Sequence, residues 1–367
     1  MNRLVLFVSL FAMFSACQQE ADEYWVYVSS NDVTSTVGVA CYLWRPSKGL
    51  LVEHGGDSTS RTSSYLAIDQ ANARLYSIDG IGIHAFVIDR ETGELSSINS
   101  QSHIGKGPCY ISLAQNKNYL MVAYYRSGEI ASFALDDQGR IGGEVSRITH
   151  RGSSIHERQT APHAHMILPA PQGDLVYATD LGTDQVLTYL VSDGGVILPR
   201  PVSTTDAVPG FGPRHLAFHP NGRYVYMLAE LTGHVMAFAY TDESGITTVL
   251  DTVRVLSEDY VGFNKAADIH VSGDGRFLYA SNRGDNSLAI CEILEDGSLG
   301  VPSYSSSGGI WPRAFEIDPT DHYVLVANKR SATICVFDRE METGRLELLE
   351  SVPTVVAPQC IKFIKRK

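Results

Sequence analysis

The sequence predicts an all-β fold: a seven-bladed β-propeller of four-stranded antiparallel blades, closed by pairing of the N- and C-terminal strands. Three observations carry this reading. Seven segments repeat an apolar strand, a tight polar turn and a second strand built around a Leu-Tyr-like pair, most plainly at residues 213–230, 266–283 and 312–329. Taking Tyr27, Tyr76, Met121, Tyr177, Tyr226, Tyr279 and Leu325 as one equivalent position, the copies lie 45 to 56 residues apart, which is the period of propeller blades. Each copy also ends in an acidic or glycine turn, as in DRETGEL from Asp89, DDQGRI from Asp136 and EDGSL from Glu295. Glycine supplies the positive φ that a tight hairpin needs, so these turns read as architecture rather than as calcium or phosphate sites.

At the N-terminus, Arg3 precedes an apolar run from Leu4 to Phe14, followed by Ser15, Ala16 and Cys17. The run is too short to span a bilayer and reads as a signal peptide. A cysteine directly after two small residues resembles a lipobox, so residues 1–17 are expected to be a leader that ends at a lipidated Cys17. Phe14 departs from the leucine usual at that position. Residues 18–23 then form a short acidic tether, and residues 24–367 form a single propeller domain. On this reading the protein is exported and held at the bacterial envelope only through its lipid.

Composition agrees with a closed all-β chain. A 44% share of hydrophobic residues suffices for a core, and 32 glycines and 15 prolines supply many turns. The net charge of −12 argues against nonspecific nucleic-acid binding, which needs a basic surface for phosphates. A local basic pocket is still compatible with an acidic total. Beyond Cys17, five cysteines remain without CxxC or zinc-type spacing, and Cys291 and Cys335 occupy corresponding apolar strands. They read as buried small hydrophobes, and neither a metal nor a cofactor is expected.

Pro358 to Ile364 looks like a first strand with no successor, and Trp25 to Ser30 like a second strand with no predecessor. Pairing them would close the ring and protect both edges. The first strand of each blade lines the central channel and the second runs back beside it, so the start of one and the end of the other share a mouth. Aligned on the intervening turn, the first-strand position reads Ser64, Cys109, His165, Arg214, Ala267 and Arg313. The next residue includes His215 and Asp268, and the second strand ends at Glu230, Arg283 and Lys329 in successive blades. Several cations converging near one carboxylate are costly unless something anionic binds there. A polar, water-filled channel is the bland alternative, but the cluster as a whole points to an oxyanion, carboxylate or phosphate ligand.

The motifs Pro162-His163-Ala164-His165, Gly210-Phe211-Gly212-Pro213-Arg214-His215, Ala266-Ala267-Asp268-Ile269-His270, Ser281-Asn282-Arg283-Gly284 and Trp311-Pro312-Arg313 resemble the seven-bladed lactonase family. That family includes bacterial 6-phosphogluconolactonase of the propeller type and a fungal muconate-lactonizing enzyme. The resemblance spans roughly residues 24 to 364. It implies a site of one histidine, two arginines and one glutamate, which by motif fall on His165 (or His163), Arg214, Glu230 and Arg283. The implied activity is metal-free hydrolysis of a sugar-acid lactone. Glu230 or His165 would activate water, and Arg214 with Arg283 would hold the oxyanion. His163, His215, Arg313 and Lys329 would bind phosphate or sugar hydroxyls, and Asp268 would orient a neighbour. No GxSxG elbow, GxGxxG unit or HExxH motif offers another chemistry. A noncatalytic propeller that binds an anionic sugar or a protein partner, and a cycloisomerase-like lyase, are the alternatives. The leader sharpens the question, because a phosphorylated lactone made in the cytoplasm would not meet an exported enzyme.

Overall fold

The computed structural model describes residues 22–35, 37–57, 62–103, 105–114 and 118–367. The expected leader, Cys17 and residues 18–21 of the tether lie outside the described residues. Within them, seven four-stranded antiparallel sheets are arranged as blades, and the inner strand of each touches those of its two neighbours, closing a ring. The first blade is composite. Its inner strand is Pro358–Lys365, which pairs antiparallel with Tyr24–Ser30, and Val39–Arg45 and Leu50–Asp57 complete the sheet. The tether's last two residues are tied down by Glu23 to Arg45 at 2.7 Å and by Asp22 to Lys365 at 2.6 Å.

Burial falls from the channel outwards. Second strands such as Tyr119–Tyr124 and Tyr224–Ala229 are buried at every residue, because the faces of neighbouring blades cover both sides. Outer strands such as Leu346–Pro353 are mostly exposed or half-buried. That is why the repeats read as continuous apolar runs inside and as polar segments outside.

At four of the interfaces the recurrent tyrosine and the recurrent turn glycine are two halves of one hydrogen bond, which Tyr177 does not make. Tyr27 donates its hydroxyl to Gly93 O at 2.9 Å, Tyr76 to Gly139 O at 3.2 Å, Tyr226 to Gly297 O at 3.2 Å and Tyr279 to Gly344 O at 2.8 Å. Each bond runs from one blade's second strand to the outer hairpin of the next. The glycines have φ between 71° and 85° in Gly139, Gly297 and Gly344, so the carbonyl is presented by a turn that a side chain would strain. Where Met121 replaces the tyrosine, Ser132 donates to Gly195 O at 2.6 Å instead. Leu325 marks the last interface, where Gly49 packs on the Tyr323 ring. A buried bond of this kind contributes about 1 kcal/mol.

The inner strands are not regular. Their pairing with the second strand shifts at Cys109, His165, Arg214 and Arg313, at Ala267–Asp268, and at Gln359 in the composite blade. In the remaining blade, Ser64 sits just before the strand, its N–H bonded to Ile78 O at 2.7 Å. A bulge sets two residues opposite one and re-aims their side chains. The aligned row of chemically diverse residues is therefore a ring of bulges at one mouth of the channel.

Candidate active site

At that mouth lies a cavity of about 690 Å³, walled by Cys109, Tyr125, His165, Glu230, Arg283 and Arg313 among others. Glu230 follows the second strand Tyr224–Ala229 and is pinned through its backbone: its N–H donates to Gly212 O and its carbonyl accepts from Ala266 N–H. Its side chain is almost wholly buried and receives three guanidinium groups. Arg214 Nε lies 3.0 Å from Oε2, Arg283 Nη2 2.8 Å from Oε2, and Arg158 Nη1 2.7 Å from Oε1. Burial pushes the carboxyl up, but Arg283, Arg214, His165 and Arg158 outweigh it and hold the group well below the usual carboxylate range. Glu230 is thus an ionised carboxylate with its lone pairs largely committed.

His165 stands beside it, Nε2 3.9 Å from Glu230 Oε2, with Nδ1 buried and without a hydrogen-bond partner. Burial and the nearby Arg214 hold its basicity well below that of an ordinary histidine, so the ring is neutral. Arg214 and Arg283 are further fixed by backbone oxygens: Arg214 donates to Ala267 O, and Arg283 to Lys265 O at 3.1 Å and Ala266 O at 2.9 Å.

Two predicted cations have no such commitments. Arg313 and Lys329 make no side-chain hydrogen bond or ion pair among the described residues. Burial and the Arg214 guanidinium pull Arg313 down to about 10, and burial with Arg313 and Arg283 pulls Lys329 down to about 8. Arg313 lines the cavity with Lys106, Arg126 and Lys265, and Lys329 stands beside it, near Arg313 and Arg283. A chain of net charge −12 therefore carries a strongly cationic hollow, whose only carboxylate among the lining residues is already neutralised.

The other predicted residues lie behind the wall. His163 is stacked on the Tyr125 ring at 4.4 Å, with Nδ1 2.9 Å from Tyr125 O, and it backs the cavity rather than lining it. His215 and Asp268 lie deeper in the channel, Nδ1 to Oδ1 at 2.8 Å. Burial and Arg214 bring His215 down to about 3, leaving it a neutral ring beside the Arg214 guanidinium, whose Nη1 is 3.1 Å from its Nε2. Beyond it, His270 sits between Asp268 at 3.4 Å and Glu316 at 3.6 Å, and Lys362 closes the line at 2.5 Å from Glu316. Burial opposes protonation of His270, but Glu316 and Asp268 outweigh it and raise its pKa. This alternating line supports Arg214 from below and runs through the partly exposed His270 to Glu316 and Lys362, which line a second hollow at the opposite mouth.

Arg158, Trp311 and Gln359 were not singled out for the site by the sequence. Arg158 comes from the 150–163 loop, which is longer than the segments that join the other blades. Trp311 forms part of the rim with a φ of 68°, its N–H held by Asn286 Oδ1 at 2.7 Å and its face covered by Arg330 at 3.6 Å. Gln359 completes the ring of bulges, but its blade is split between the chain ends, so an alignment of consecutive segments omits it.

The family model described as lactonase, 7-bladed beta-propeller, matches residues 25–363. The chain belongs to that lactonase family. Among its relatives, the 6-phosphogluconolactonase of Bacillus subtilis is 37% identical over 306 residues, covering 82% of this chain and 87% of the relative. A solved protein of Lactobacillus plantarum superposes with a TM-score of 0.87 at 30% identity, over 94% of this chain and 99% of the other. The periplasmic gluconolactonase of Pseudomonas aeruginosa gives the same TM-score at 29% identity, over 94% and 100%. This lactonase-family member is thus an enzyme of the 6-phosphogluconolactonase-like kind.

Proposed function

We propose that this lactonase-family enzyme hydrolyses a sugar-acid lactone in the cationic cavity without a metal. The observation that carries the reading is the grouping of ionised Glu230, neutral His165 and the Arg283 guanidinium in the cavity wall, with Arg214 paired to Glu230 just behind it. Glu230 is too strongly paired to be an effective base, whereas His165 is neutral and its Nε2, 3.9 Å from Glu230 Oε2, makes no hydrogen bond among the described residues. His165 therefore takes a proton from water, the hydroxide oxygen bonds to the lactone carbonyl carbon, and the tetrahedral oxyanion is held by Arg283 and Arg313. Collapse breaks the ring C–O bond, and the imidazolium returns its proton to the departing oxygen, giving the hydroxy acid. Glu230 lies close enough to stabilise the imidazolium formed in between. Arg313 and Lys329, being unpaired, bind the acidic or hydroxyl-bearing end of the substrate.

The same saturation of Glu230 supports a second reading, a noncatalytic propeller that binds an anionic sugar. Hydrolysis of 6-phosphogluconolactone, gluconolactone and galactonolactone, followed as acid release above the spontaneous rate, separates the two. Acceleration by the wild type that is lost in Glu230→Gln is expected. No acceleration on any of the three removes the hydrolase reading for this substrate class.

We also propose export with lipidation at Cys17, on the strength of the Arg3, Leu4–Phe14 and Ser15-Ala16-Cys17 pattern.

A further inference from the structure

The three guanidiniums on Glu230 are held in different ways. Arg214 and Arg283 each have backbone carbonyls as additional acceptors and would stay in place without the carboxylate. Arg158 has none: its remaining side-chain partner is the Tyr125 hydroxyl at 2.8 Å. Its side chain is 27% exposed, against 2% for Arg214 and 6% for Arg283. The backbone beneath it is nonetheless fixed. Gln159 is fully buried, donates to Leu181 O at 2.8 Å and accepts from His156 N–H at 3.0 Å. Arg158 is a long, solvent-reaching arm on a pinned base.

We propose that Arg158 is a detachable clamp: it caps Glu230 Oε1 in the empty cavity and turns onto the anionic group of the substrate when that group enters. The proposal rests on the lactonase reading of the cavity. Arg313 in the cavity wall and Lys329 beside it, both unpaired among the described residues, draw the anion in first, since such cations raise the local concentration of an oppositely charged ligand. Arg158 then exchanges one carboxylate or phosphate oxygen for another, so its own charge remains paired throughout. What changes is Glu230, which loses one of its three cations only when substrate is present. The carboxylate faces Arg158 from the loop, Arg214 from the inner strand Pro213–Phe218, Arg283 from the second strand Phe277–Arg283 and His165 from the inner strand Ala164–Pro169, with Lys265 and Arg313 further off. Loss of one cation from this set raises the pH at which the Glu230–His165 pair takes up a proton.

The test uses the pH dependence of the full enzyme and its Arg158→Ala variant. The acid limb of kcat/KM reports the free enzyme, and that of kcat reports the substrate complex. A clamp that has already left Glu230 in the complex gives one outcome: the kcat/KM limb of Arg158→Ala moves to higher pH while the kcat limb stays where it is. Movement of both limbs together, or of neither, overturns the proposal. If the wild type shows no lactone turnover, the lactonase reading fails separately, and calorimetric binding of the product acid 6-phosphogluconate decides the clamp. Affinity about tenfold weaker in Arg158→Ala is expected for loss of one charge-assisted contact, and equal affinity overturns it.

Discussion

Arg214 links the two halves of the site, one face on Glu230 and the other on His215, and its position at a bulge aims it inward. Its replacement by Ala should lower turnover by at least ~100-fold, because it removes the cation that fixes Glu230 beside His165 and with it the preorganised electrostatics of the reacting centre. A folded Arg214→Ala variant with unchanged kinetics would remove it from the mechanism. Arg313 makes a different prediction. Because Arg313 pairs with nothing among the described residues and serves both the oxyanion and the substrate's anionic end, Arg313→Ala should lower kcat and raise KM while leaving the melting temperature within about 1 °C. A large loss of stability would show that the guanidinium serves the fold. Much of this was readable beforehand at the level of single residues: His165, Arg214, Glu230 and Arg283 are adjacent in space because equivalent positions in consecutive blades share a mouth. Arg158 was not readable, since a loop residue outside the repeat has no position in an alignment of repeats. His163 and His165, two residues apart in one motif, were separable only once the bulge showed which ring faces the cavity.

At the level of elements, the repeat encoded more than its strands. The Tyr and Gly positions were each legible as a pattern, but their partnership across blades was not, because nothing in one repeat says which hairpin of the next it meets. Tyr226→Phe removes the bond to Gly297 O and should cost about 1 kcal/mol in urea unfolding; a loss near zero would mean that the ring packing alone holds that interface. The line of charged groups from His215 to Lys362 was legible only in part, as His215 and Asp268. Its pH signature has a definite sign. His270 has a pKa raised above the ordinary 6.5, so its contribution to stability is complete below that value and is lost as pH rises through the raised one. The melting-temperature gap between wild type and His270→Gln should therefore be widest near pH 6 and narrow as the solution becomes alkaline. A gap that is constant across that range would mean His270 does not titrate with folding. Asp268 and Glu230 act in the opposite sense, their pKa values being depressed, so their stabilisation is present above the ordinary carboxylate values and fades as acid is added.

For the molecule as a whole, the seven copies and the orphan strands at either end made the ring readable, since only closure satisfies both edges. The orientation of the ring was not. Tyr24 pairs with Lys365 at one end of the composite blade, whereas Asn31, just past the other end of the same strand, lines the cavity. The chain thus enters the propeller about 20 Å from the site, on the opposite face, at 3.3 Å per residue. With Cys17 lipidated, a tether of a few residues would turn the cavity away from the membrane and towards soluble substrate. Cys17→Ser should move the protein from the membrane to the soluble fraction and remove the lipid mass; retention at the membrane would count against the anchor. The composite blade has one more consequence. Ser30 meets Val356 across a sequence separation of 326 residues, and Gln359 in the same inner strand fills the last place in the ring of bulges. A ribosome must therefore deliver nearly the whole polypeptide before either the circle or its reaction chamber exists. Until then the growing chain remains an open fan of blades, slow to lock because its final contact spans so long a loop.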